Sequence, residues 1–385
     1  YVYVPNDAAI EALKSNASEA FSVRVSDGTA SAVQTLSVNI TATNDTPTLS
    51  ASVTALSYSD SSVTDRFNSA TGSLTSADRD AGDSITYSIA NGQADSSRSG
   101  YNLRQAGNYG TLFLHSQTGA YLYVPNDAAI NALTGAANET FALQVTDGSA
   151  ATVSQTLTIT VNGTNDVPLI NSASAQAIGT VKESGHDDNG MVMAGTPAVT
   201  RQIIASDVDA PATRVYELEG TVSSRYGRIA LDRNTGEWTY TLDNTLVTTQ
   251  NLHEGQSVQE RYTVRVTDDR GAQVRETITV TVEGSNDVPT VVGALADEAY
   301  LQGEQVEVAT AQLFTDIDLD AGAFSFSAQL PPGLQIDAQS GVISGAGTRP
   351  GDYVIVIRAT DAQGAWAETT WAVRINAPAR DDSAG

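Results

Sequence analysis

One phrase, repeated along the chain, limits what it can fold into. FSVRVSDGTASAVQTLSVNITATNDTP occupies residues 21–47, FALQVTDGSAATVSQTLTITVNGTNDVP residues 141–168 and YTVRVTDDRGAQVRETITVTVEGSNDVP residues 262–289. The closing prolines, Pro47, Pro168 and Pro289, stand at two equal intervals of 121 residues. A shorter fourth copy, YVIVIRATDAQGAWAETTWAVRIN at 353–376, lacks the final Asn-Asp-x-Pro. The opening YVYVPNDAAIEAL likewise returns as YLYVPNDAAINAL at 121–133. Apolar residues alternate with polar ones inside each copy: Phe21, Val23 and Val25 precede a Ser26-Asp27-Gly28 turn, and Leu36, Val38 and Ile40 follow it. Alternation with period two in Thr-, Val- and Ile-rich runs marks half-buried antiparallel strands, and Asp-Gly between two such runs marks a hairpin.

Further runs read as strands: ITYSI at 85–89, GTLFL at 110–114, GRIAL at 227–231 and EWTYTL at 237–242. Long helical periodicity is absent; only DAAIEALK and its twin suit a turn or two of helix, opened by an Asn-Asp N-cap. Many short strands in repeating units predict an all-β chain of tandem Ig-like β-sandwiches, arranged as an extended rod. Proline after each Asn-Asp ends a strand and stiffens the linker, which sets the expected units at 1–46, 47–167, 168–288 and 289–378, with a tail at 379–385. The first holds only the last third of a sandwich, with little core and open strand edges, so it is expected to be unstable alone. The chain opens on Tyr inside a patterned segment, which reads as an excerpt of a longer protein.

Charge comes next. Asp and Glu number 45 against 20 Lys and Arg, a formal charge of -25. That balance argues against nucleic acid and anionic membrane as partners. With no Cys, disulfides and thiolate metal sites are excluded. No run of residues is apolar enough to span a bilayer.

The carboxylates recur in step with the repeat. The boundary pairs are Asn44-Asp45, Asn165-Asp166 and Asn286-Asp287. An Asp-x-Asp follows each: Asp78 and Asp80 with Asp83, then Asp207 and Asp209, then Asp316 and Asp318 with Asp320. The last hairpin of each unit carries Asp27, Asp147, Asp268 or Asp361. A fourth, less regular set is Asn6-Asp7, Asn126-Asp127 and Asp243-Asn244. In an Ig-like sandwich the start of the domain, the B–C loop and the F–G loop share one pole, while the E–F loop faces the opposite one. Each boundary is therefore expected to gather ligands from both neighbours. Two carboxylates ~4 Å apart at an effective dielectric near 20 repel by about 4 kcal/mol. Ca²⁺ removes that repulsion and accepts ~6–8 oxygen ligands in flexible geometry, whereas Mg²⁺ demands a strict octahedron. Zinc is disfavoured, because His115, His186 and His253 share no motif and read as loop residues. Ordinary turn and linker chemistry explains each acidic motif singly. Their recurrence in step favours several Ca²⁺ ions.

Units two and three resemble VCBS-type cadherin-like repeats in GSLTSADRDAGDSITY at 72–87, YGTL at 109–112, GEWTYTLDN at 236–244, the VTDG and VTDD hairpins, and the closing TNDVP and SNDVP. Unit four is similar instead to the dystroglycan-type cadherin-like (putative Ig) domain, through FTDIDLD at 314–320, LPPGLQIDAQSGVISG at 330–345 and ATDAQGA at 359–365. The resemblance implies a large surface adhesin of a Gram-negative bacterium, RTX-type, exported by type I secretion, with Ca²⁺ at domain junctions and a role in adhesion or biofilm. It implies a monomer whose partners are neighbouring repeats and, through other domains, a host or biofilm surface ligand. Asx linker residues, Asp-x-Asp and the hairpin Asp match cadherin calcium ligands; the Leu-Asp-Arg-Glu motif has no literal copy, and Glu183 in GTVKESG is the candidate substitute. The chain carries no catalytic motif, so no enzyme is expected. The alternative function is a carbohydrate- or protein-binding module on unit four, where Trp366 and Trp371 offer stacking surfaces, with the core as their commoner fate.

Overall fold

The computed structural model describes residues 1–187, 189–209, 211–220, 222, 224–318 and 324–378. The chain divides into two compact units, one of residues 1–167 with 207–212 and one of residues 168–206 with 213 onward. The fold is all-β, built as tandem Ig-like sandwiches.

One plan appears three times. In the first unit, strands 55–59, 152–162, 136–146 and 86–89 form a four-stranded sheet, and strands 48–51, 70–77, 120–125, 110–114, 103–106 and 93–94 form the sheet opposite. In the second unit, strands 178–182, 273–283, 257–268 and 214–219 face strands 198–202, 237–242 and 227–231. The same unit holds strands 298–301, 366–376, 351–360 and 325–328, which face strands 305–309, 342–346 and 334–336. In all three the first strand of the four-stranded sheet runs parallel to the last. The repeated phrase forms the long antiparallel hairpin at the centre of that sheet.

Alternation in the sequence becomes burial in the structure. Phe141, Leu143 and Val145 point inward against Leu74, Leu112 and Tyr121 of the facing sheet. Trp238 and Trp371 fill the other two cores, and each indole N–H donates to a backbone carbonyl, of Gln176 and Ala296 respectively. The opening hairpin, strands Ala17–Ser26 and Ser31–Ile40, pairs in the same register, yet among the described residues no sheet faces it. Phe21, Val23 and Val25, whose counterparts are buried, are 42%, 46% and 69% exposed.

Helix α1 (Asp7–Glu11) and helix α2 (Asp127–Asn131) open on Asn6 and Asn126, whose side-chain oxygens accept the N–H of Ala9 and Ala129. A third short helix, α3 (Val247–Gln250), lies beyond the sequence expectation, because its β-branched VTTQ carries no helical signal. A further recurring contact escaped the sequence. Tyr123 and Tyr240 donate their buried hydroxyls to Glu139 and Glu260, and Tyr3 makes the equivalent bond to Glu19. Burial, reinforced by the carboxylate, holds the Tyr123 phenol far above its ordinary range. Glu260 also accepts from Tyr262, Ser224 and the Arg225 N–H. Glu260→Ala strands these donors and is expected to destabilise its sandwich by about 2 kcal/mol in urea unfolding, with no effect on metal binding.

Candidate metal centre

Asp78 and Asp147 directly follow strands 70–77 and 136–146, and the linker Asn44-Asp45 leads into strand 48–51, which pairs with the end of strand 70–77. In the first cluster the Asp45 N–H donates to Asp80 Oδ2 at 2.8 Å and Asn44 Nδ2 donates to Asp147 Oδ2 at 2.8 Å. Asp147 Oδ1 is held by the N–H groups of Ser149 and Ala151, so its carboxylate is aimed by its own hairpin. Asp78 Oδ1 accepts the Asp80 N–H. Asp78, Asp83 and Asp147 each bring an oxygen within 4.8 Å of the other two. Asn44 Oδ1, Asp78 Oδ2, Asp80 Oδ1 and Asp83 Oδ2 are buried with no donor. The hydrogen bond from Asn44 holds Asp147 below the usual carboxylate range, and the Lys14 ammonium does the same for Asp83.

The second cluster repeats the pattern. The Asp166 N–H donates to Asp209 Oδ2 at 2.8 Å, and the Asp209 N–H to Asp207 Oδ1. Asn165 Nδ2 closes on the Asp166 carbonyl. Two further carboxylates join from the stretch after strand 55–59. Asp60, 7% exposed, accepts the Thr164 N–H, and Asp65 is clamped by Asn131 of α2 through both its backbone N–H and its carbonyl. Burial, then the charges of Asp60, Asp209, Asp207 and Asp65, push Asp166 up to about 7. Both Asp166 oxygens, Asp60 Oδ1 and Asp209 Oδ1 are buried without a donor.

In the third cluster the Asp287 N–H donates to Asp318 Oδ2 at 2.8 Å, the Asp318 N–H to Asp316 Oδ1, and Asn286 Nδ2 to Asp361 Oδ2 at 3.0 Å. Glu183 stands one residue past strand 178–182, where Asp60 stands past strand 55–59, and Gln250 of α3 holds its Oε1 at 2.8 Å. Burial, then Asp287, raises Glu183 to about 8. Burial is likewise the main cause that lifts Asp318 to about 6 and raises Asp316 and Asp287. Glu183 Oε2, Asn286 Oδ1, Asp287 Oδ2, Asp316 Oδ2 and Asp318 Oδ1 are buried without a donor. His186, expected to be a scattered loop residue, instead puts Nδ1 3.3 Å from Asp287 Oδ1. Asp320 lies outside the described residues.

The fourth motif has other work. Asn6 and Asn126 cap helices, and Asp7 opens the first turn of α1. Asp127 accepts the Phe67 N–H, and Asp243 accepts from Thr245. Asn244 accepts the Ser184 N–H beside Glu183. Asp27 is exposed and satisfied by Thr29 and Ala30 of its own turn. Asp268, in the second unit, is aimed by the N–H groups of Arg270 and Ala272 as Asp147 is by its hairpin. Asp60 and Asp65 stand beside the second linker, and the sequence candidate Glu183 stands in the third cluster. The turn helices steady them through Asn131 and Gln250.

Residues 289–376 match the family model described as "Putative Ig domain". No curated protein matches the chain. Among solved structures it is similar to mouse cadherin-23 EC22–24, at 15% identity over 87% of this chain and 100% of that one, TM-score 0.40. It is also similar to the protocadherin gamma B4 extracellular domain, at 18% identity over 95% of this chain and 55% of that one, TM-score 0.41. Protocadherin gamma B2 domains 1–5 give 16% identity over 95% and 67%, TM-score 0.41. Among the described residues no helix is long and apolar enough to cross a membrane.

Proposed function

We propose that this chain is a calcium-stiffened extender: a partial unit at 1–46 followed by sandwich units at 47–167, 168–288 and 289–378, which together hold ligand-binding domains of a bacterial surface adhesin away from the cell. The adhesin is of the VCBS, RTX-type class suggested by the repeat motifs, secreted to the surface and serving adhesion and biofilm formation. One observation carries the reading. Three times the N–H of the linker Asp donates at 2.8 Å to the second Asp of Asp-x-Asp, at Asp45–Asp80, Asp166–Asp209 and Asp287–Asp318, and each time buried carboxylate oxygens without donors surround it.

Such oxygens fit a hard cation. An unpaired buried carboxylate is among the most expensive groups a protein can hold, and several together add mutual repulsion. The carboxylate oxygens and the amide oxygens of Asn44 and Asn286 left without hydrogen-bond donors are the kind of ligand Ca²⁺ prefers. Calorimetric titration of the chelator-stripped chain should show saturable Ca²⁺ binding that a tenfold excess of Mg²⁺ does not abolish. Absence of saturable binding removes the proposal. Asp318→Ala should delete the third cluster's share of the heat and leave the rest. Trp366 gives little support to a sugar-binding reading of the last unit: the Arg358 guanidinium lies 3.9 Å over its ring, and Trp371 is core.

A further inference from the structure

The first cluster holds a cation of its own. Lys14 Nζ lies 2.8 Å from Asp83 Oδ1, and the Asp83 side chain is only 2% exposed. Beside it the end of α1 docks on the acidic loop. The Ala81 N–H donates to the Ala12 carbonyl, and Arg79 reaches Glu11 at 3.0 Å. Asp83 is also one of the three carboxylates that bring oxygens together here, next to Asp80, which is 3% exposed with Oδ1 lacking a donor. An ammonium at that distance supplies part of the charge a divalent ion would bring, and it takes up a ligand oxygen.

The sequence isolates the position. Lys14 and Lys182 are the only lysines of the chain. Lys14 follows Leu13, and the residues after the matching Leu133 and Leu252 are Thr134 and His253. Leu133 and Leu252 are structural equivalents, since the carbonyl of each lies against the glycine, Gly163 or Gly284, that ends the repeat's last strand. At this position a full positive charge on a long stem thus occurs only in the first cluster.

We infer that Lys14 is a built-in counter-cation that holds Asp83 when metal is absent and competes with Ca²⁺ when it is present. The competition rests on the calcium reading above; the metal-free role does not. Hydrogen exchange of the full chain, followed by mass spectrometry on peptides spanning the three Asn-Asp linkers across a Ca²⁺ titration, tests both. In the native chain the first linker should need the highest Ca²⁺ to become protected. Lys14→Met should lower that midpoint about tenfold and leave the other two unmoved. In chelator the same variant should exchange faster at the first linker only, and Lys14→Arg should restore protection there. An unmoved midpoint overturns the competition, and unchanged exchange in chelator overturns the metal-free role. If no linker responds to Ca²⁺, both the calcium reading and the competition fall, and the chelator comparison still decides what Lys14 does.

Discussion

Stripping Ca²⁺ with a chelator is expected to lower the melting temperature by about 10 °C or more and to change the maximum dimension in small-angle scattering. The size of the thermal effect follows from mass action. An ion present at a hundredfold excess over its Kd stabilises the form that binds it by about 2.7 kcal/mol per site. For a sandwich of ~100 residues, each kcal/mol moves the midpoint by ~4–8 °C. Buried donorless oxygens at Asp166, Glu183, Asp287 and Asp318 set the sign, because they are repulsive without a cation and ligands with one. The dimensional change follows from the same groups. Linkers of a few residues, flanked by like charges on a chain of net charge -25, should lose their fixed angle when the ion leaves. Identical melting temperature and identical maximum dimension in the two conditions would defeat the calcium hypothesis. A change restored equally by Mg²⁺ would keep the metal and discard the selectivity.

Much of this was legible in the sequence because strand alternation and the repeat are written in the same letters. The runs at 110–114, 227–231 and 237–242 became strands at those bounds, and Asn6 and Asn126 became the N-caps the Asn-Asp pair suggested. Meeting of linker, Asp-x-Asp and hairpin Asp in the first and third clusters followed from loop parity in a sandwich, a property of topology that needs no coordinates.

Glu183 was offered by the sequence as a substitute ligand, but its counterpart Asp60 escaped. Asp60 and Glu183 occupy one structural place, past the strand that pairs in parallel with the last strand, yet they differ in residue type and sit in stretches of unlike length, SDSSVTDRFN and ESGHDDNG. Recurrence in step could not reveal a site whose step varies. The available signal was positional: an acid directly after a five-residue run, ALSYS-Asp60 and IGTVK-Glu183. His186 was missed for the same reason, since it enters on a small hairpin pairing His186 with Val192 that the neighbouring repeat lacks among its described residues. Asn131 and Gln250 carry no local sequence signal, because their partners are more than 60 residues away.

Calcium should remove a fall of stability with pH that the metal-free chain shows. In the metal-free chain Asp166 titrates near 7, Glu183 near 8 and Asp318 near 6, each raised first by burial and then by neighbouring carboxylates. Unfolded, these groups titrate near ~4, so between about pH 4 and pH 8 the folded form binds more protons than the unfolded one. Their contribution is therefore complete below ~4 and disappears as pH rises through 6 to 8, and the melting temperature in chelator should fall across that range. Asp83 and Asp147 shift the other way, but their contribution is lost only as pH falls below the ordinary carboxylate range, outside this window. Ca²⁺ requires the ionised ligands and displaces the protons, so its apparent affinity should rise over the same interval. Scanning calorimetry at several pH values from about 5 to 8 should show the gap between calcium and chelator widening with pH. Titrations in buffers of different ionisation enthalpy should show protons released on binding near neutrality. A gap that stays constant, with no proton release, would mean that these carboxylates do not meet the ion.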